Sequence, residues 1–184
     1  TSDVCVIGSG AGGGVVAGEL AEAGLSVVLL EEGGFWTAEN DFNEIETESF
    51  LKVAAWGGFT ATREGVILSY GRCLGGGTVK YWADSFRLPR DRFEQWRDPH
   101  GIGDEFYSYY DRVENNIHVE VAPEYLFNEQ NKRFREACKS LEWEGGAVPQ
   151  ARQACTSSGF CTLGCPYNRK QSMLVTYIPR ASNA

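Results

Sequence analysis

The segment Gly8-Ser9-Gly10-Ala11-Gly12-Gly13 constrains this chain more than any other. It reads G-x-G-x-x-G and follows the apolar run Val4-Cys5-Val6-Ile7 at once. Val15 to Ala23 then supply helix formers, with Gly24 as a C-cap, and Leu25 to Leu30 is a second apolar, β-branched run. Strand, glycine turn, helix and strand make a βαβ unit. Gly8 permits the tight turn, Gly10 lets the backbone approach a pyrophosphate, and Gly13 lets the helix lie close to the sheet. Ala11 sits at the helix N-terminus, whose free N–H groups and partial positive charge suit phosphates. Glu31 closes the second run about 20 residues past the turn, where an acid accepts hydrogen bonds from ribose hydroxyls and repels a 2′-phosphate. The expected fold class is α/β, built on a Rossmann-like dinucleotide-binding core. This fingerprint alone does not separate FAD from NAD.

A second glycine cluster, Gly71-Arg72-Cys73-Leu74-Gly75-Gly76-Gly77-Thr78, follows after a long excursion. An ordinary NAD dehydrogenase would by then be repeating short strands and helices. Here the chain resembles the glucose–methanol–choline family of flavin oxidoreductases. The resemblance rests on Gly8 to Gly13, on Leu29-Leu30-Glu31-Glu32-Gly33, on the Gly71 to Thr78 segment, and more sparsely on Trp82, Arg90, Phe93 and Trp96. It implies an FAD-binding core with long excursions, truncated before the substrate domain is complete. It also implies backbone contacts to FAD from Arg72, Gly75, Gly76, Gly77 and Thr78. The family pattern usually continues to an Asn or His, where this chain has Val79-Lys80-Tyr81-Trp82. We therefore expect FAD held without a histidyl bond. Lys80 has two readings, a cation near the flavin and a solvated lysine.

The resemblance implies that the catalytic His and its partner lie downstream of this chain, so no catalytic residue is assigned within it. His100 and His118 do not match that motif, and both are expected to serve packing or surface roles. The reaction implied is hydride transfer from the CH–OH group of a small-molecule alcohol, sugar or sterol to flavin. These residues alone are expected to turn over nothing. Two other readings stay open: an NAD-dependent dehydrogenase, which leaves Gly71 to Thr78 without purpose, and a non-catalytic nucleotide-binding or electron-transfer module.

Six cysteines are present, and Cys155, Cys161 and Cys165 share one loop, with Pro166 after the last. Three thiolates so spaced suit an iron–sulfur cluster. The spacing resembles that of the three-iron cluster in bacterial sugar dehydrogenases of the same flavin family. Gly159-Phe160-Cys161, Gly164-Cys165 and Lys170-Gln171-Ser172 also resemble the family's long-chain alcohol oxidase branch, which implies no cluster. Structural thiols or a disulfide therefore stand beside the cluster, and zinc stands behind both because no nearby His offers a fourth ligand. A cluster would bring in an electron-acceptor protein. Cys5 and Cys73 are read as small packing residues.

The net charge of −8 argues against a surface that tracks DNA or RNA phosphates. No apolar run approaches the length of a membrane span. The chain opens Thr-Ser-Asp and closes Ser182-Asn183-Ala184, which we read as a fragment whose partners include the remainder of its polypeptide. Thiols or a cluster favour assembly in a reducing cytoplasm. We expect an FAD-binding part over residues 1–122 and a helical and cysteine-loop part over 123–184. Further helices are expected over Asp104–Asn116 and Asn128–Leu141.

Overall fold

The computed structural model describes residues 1–55 and 58–184, which fall into two compact units. The first comprises Thr1–Ala83 and Arg152–Ala184, and the second Asp84–Ala151. The boundary expected after residue 122 lies inside the second unit. Its reason is local: β5 (Val119–Val121) pairs antiparallel with β6 (Pro149–Ala151), which holds the chain on both sides of that point together.

In the first unit, β1 (Val4–Ile7) runs into α1 (Ala11–Glu22) and then β2 (Val27–Leu30). The two strands are parallel, with Val4 opposite Val27 and Ile7 opposite Leu30. This is the βαβ unit expected from the sequence. Its helix begins earlier than the run of helix formers because the second half of the glycine motif is itself helical. The excursion carries α2 (Glu46–Val53) and a short antiparallel pair, β3 (Thr60–Ala61) with β4 (Ile67–Leu68). A core of Phe42, Val53, Cys73 and Val79 forms beneath it, with Trp36 and Leu174 against its edge.

The chain's last helix, α6 (Tyr177–Asn183), packs on α1. Small residues make this possible. A Cβ on Gly14 would lie 2.9 Å from Met173 Cγ, and one on Gly18 would lie 3.0 Å from the Tyr177 ring. Arg180 closes the contact with a bidentate pair to Glu22, at 2.8 Å from Nε and 2.5 Å from Nη2.

The second unit is built on aromatic stacking. Phe93, fully buried on α3 (Arg90–His100), meets the Tyr107 ring edge-on at 4.9 Å and the Phe106 ring at 5.8 Å. Residues Asp104–Tyr107 form a 3-10 turn that leads into α4 (Ser108–Asn116). Then α5 (Glu129–Ser140) is capped by Asn128, whose side chain accepts from the Asn131 N–H at 2.8 Å.

Candidate functional site

Three glycine segments far apart in sequence close on one another, backbone to backbone. A Cβ on Gly13 would sit 1.8 Å from the Gly8 carbonyl oxygen, so α1 starts in direct contact with the end of β1. That is the close helix–strand approach expected of Gly13. A Cβ on Gly33 would meet the Arg72 carbonyl carbon at 2.3 Å, and one on Gly76 would meet Gly10 Cα at 2.9 Å. The Leu74 N–H donates to the Gly34 carbonyl at 2.9 Å, and Gly34 and Cys73 form a parallel bridge. Side chains at these contacts would hold the three segments apart.

Ser9 joins all three. It is fully buried. Its hydroxyl donates to Glu31 Oε2 at 2.5 Å and accepts from the Gly75 N–H at 2.8 Å. The Ser9 N–H donates to the same carboxylate oxygen at 3.0 Å, and the Gly33 N–H donates to Oε1 at 2.8 Å. Partial burial pushes the Glu31 carboxyl up. The bonds from the Ser9 hydroxyl and from the Gly33, Ser9 and Glu32 N–H groups together outweigh that effect, so it lies below its ordinary value. It is therefore a carboxylate at neutral pH. Sequence reasoning missed Ser9. The signal available was a hydroxyl inside the first turn, paired with the strand-end acid.

Around this knot four glycines face open space. A Cβ on Gly8, Gly10, Gly12 or Gly77 would meet nothing within 4 Å, and Ala11, Gly12 and Gly77 are exposed. No acidic residue occupies the first turn of α1, whose leading N–H groups have no partner within the helix. A wall of bare backbone at a helix N-terminus, beside a carboxylate at the end of the second strand, fits the pyrophosphate and ribose of a dinucleotide such as FAD.

The second loop is held in shape from within and from behind. Gly75 is left-handed at φ 93° and leads into a 3-10 turn over Gly76–Val79. The Thr78 hydroxyl donates to the Gly75 carbonyl at 2.6 Å and accepts from the Met173 N–H at 3.0 Å. The Arg72 side chain lies beside Glu32, with Nε 3.5 Å from Oε2. Lys80 is partly exposed: its ammonium donates to Ser69 Oγ at 2.7 Å and lies over the Phe50 and Phe59 rings at 5.2 and 5.8 Å. Burial lowers its pKa.

Lys170 is the second residue that sequence reasoning left without a role. It is 4% exposed, and its ammonium donates to the carbonyls of Val79 at 2.5 Å, Tyr81 at 3.2 Å and Cys161. Burial brings its pKa down to about 8, against the opposing pull of Cys161, Cys165 and Cys73.

The cysteine loop differs from the cluster reading. All six cysteines are free, and among the described residues no group of three His, Cys, Asp or Glu side chains is arranged to hold a metal ion. Cys155, Cys161 and Cys165 share the loop without converging as ligands. The Ser157 N–H reaches Cys155 Sγ at 3.4 Å and the Arg169 N–H reaches Cys165 Sγ at 3.3 Å, so two of the sulfurs accept from their own turns. Burial pushes the Cys161 thiol up. Cys73 is buried as expected, and burial, with Glu31 nearby, takes its pKa up to about 12. Cys5 departs from expectation: it is exposed. His100 and His118 lie in the second unit; His100 meets the Trp96 ring edge-on and His118 has φ 49°.

Comparison with known proteins agrees with this geometry. The family profile for GMC oxidoreductase matches residues 6–184. An uncharacterized GMC-type oxidoreductase of Mycobacterium tuberculosis is 33% identical over the whole chain. A long-chain-alcohol oxidase of Arabidopsis thaliana is 34% identical over 96% of it. The chain spans 30% and 24% of those two relatives, respectively. Among solved structures, pyridoxine 4-oxidase from Mesorbium loti superposes with a TM-score of 0.66 over 97% of this chain and 39% of its own, at 16% identity. That likeness is one of fold.

Proposed function

The chain belongs to the GMC oxidoreductase family, and from that premise we propose that it forms the FAD-binding part of an enzyme that oxidises the CH–OH group of a small-molecule alcohol. The observation that carries this reading is the closure of Gly8–Gly13, Glu31–Gly34 and Gly71–Thr78 around the Ser9 hydroxyl. When bound, FAD supplies the hydride acceptor. Gly10, Ala11 and the first turn of α1 would hold its pyrophosphate through backbone N–H groups, and Glu31 would accept from the adenosine ribose. Arg72, Gly75, Gly76, Gly77 and Thr78 would wall the flavin end. The general base that takes the alcohol proton is assigned outside these residues, because no histidine lies on the described glycine segments.

The Arabidopsis relative is a long-chain-alcohol oxidase, so long-chain primary alcohols are the first substrates to try, ahead of sugars and sterols. The test is anaerobic addition of such alcohols to the flavin-loaded, full-length protein. Bleaching of the flavin band by a primary or secondary alcohol supports the reading. A bound flavin that dithionite reduces and no alcohol does would overturn it.

A further inference from the structure

The cysteine loop has no part in the function proposed above, yet the chain devotes buried groups to it. Lys170 supplies the reason. Its ammonium is buried and bonded to three carbonyls, from Val79 and Tyr81 at the end of the second glycine loop and from Cys161 of the cysteine loop. A lysine that deep is costly unless its donors are met. Here they are met by backbone oxygens of both loops. Three residues further on, the Met173 N–H donates to the Thr78 hydroxyl, which in turn donates to the Gly75 carbonyl. The Arg152 backbone bridges to Lys170, and the Gln153 N–H donates to the Arg169 carbonyl at 2.8 Å. The strip Arg169–Met173 is thus anchored on one side and grips the glycine loop at Thr78, Val79 and Tyr81 on the other.

We propose that Lys170 is a positioning residue that clamps the second glycine loop from behind, and that the cysteine loop is the buttress against which it clamps. The inference rests on that loop being the flavin-binding loop, as proposed above. The clamp fixes the carbonyls of Val79 and Tyr81, and with them the 3-10 turn that presents Gly76 and Gly77. The cysteines then matter as compact residues of a tight turn (Cys161–Leu163 is 3-10, ending at left-handed Gly164).

The test compares Lys170→Met, Lys170→Gln and Lys170→Arg in the full-length protein, with two readouts. One is the FAD dissociation constant from flavin fluorescence. The other is amide hydrogen exchange in the apoprotein at Lys80 and Met173, with the α1 amides as internal reference. Loss of a charge-assisted bond to a loop predicts roughly tenfold weaker FAD binding for Lys170→Met. It also predicts faster exchange confined to residues 76–82 and 170–174. Lys170→Arg should recover most of both. The proposal is overturned if Lys170→Met leaves binding and local exchange unchanged, or if exchange rises equally in α1. Should Lys170→Met not fold, the other two variants decide: Arg must bind FAD more tightly than Gln, and equal loss in both refutes the clamp. A wild-type protein that binds no FAD would sink the functional reading, while the exchange data would still test the clamp.

Discussion

Replacing Ser9 by Ala should loosen the whole nucleotide site although Ser9 need touch no nucleotide. Two interactions go at once: the hydroxyl bond to Glu31 Oε2 at 2.5 Å and the bond from the Gly75 N–H at 2.8 Å. A hydrogen bond to a charged group contributes about 1.5–3 kcal/mol, and Glu31 is only part-buried, so the lower end, about 1.5 kcal/mol, applies. The Gly75 N–H is left in a buried place with no hydroxyl to meet it, which costs about 1.5 kcal/mol more. The sum is about 3 kcal/mol. Thermal and urea melts of the full-length protein give the number, and a double-mutant cycle with Glu31→Gln should show coupling of about 1 kcal/mol or more. A Ser9→Ala protein within about 0.5 kcal/mol of wild type, or strict additivity with Glu31→Gln, would refute the linkage of the three segments through this hydroxyl.

The same geometry separates two glycines of one motif. Gly13→Ala places a methyl 1.8 Å from a backbone oxygen and should cost about 3 kcal/mol or more in a denaturant melt, whereas Gly10→Ala meets no atom within 4 Å, should melt within about 0.5 kcal/mol of wild type, and should still bind FAD more weakly. Glu31 predicts an acid limb. Its folded pKa lies below its ordinary 4.5, so its contribution is full above that value and is lost as pH falls through the depressed one; the stability gap between wild type and Glu31→Gln should be flat at neutral pH and shrink in acid. Iodoacetamide at pH 8 should spare Cys73 in the native protein, whose thiol is buried and held near pKa 12, and label it in urea; mass spectrometry of the labelled peptides distinguishes the two states.

The βαβ unit was readable from the sequence because strand period, glycine punctuation and a strand-end acid all pointed to the same element. Helix α5 was equally plain, with Asn128 as its cap. By contrast α3 was not legible: Arg90–His100 carries only Phe93 and Trp96 as apolar residues and a proline at position 99, so no helical stripe appears, and the helix forms because Phe93 finds Phe106 and Tyr107. The roles of Ser9 and Lys170 depend on partners 66 and 91 residues away, which no local pattern encodes. The cysteine spacing left a cluster, a disulfide and structural thiols open because spacing carries no orientation; in the structure the cysteines are free and two of the loop's sulfurs accept from their own turns.

The central claim is that the three glycine segments build an FAD site, and the visible absorption spectrum of the full-length protein tests it most directly. The account predicts a two-banded flavin spectrum, present as purified or after addition of FAD, that disappears on reduction and is weakened by Gly10→Ala. A protein that stays colourless with FAD in excess would contradict it.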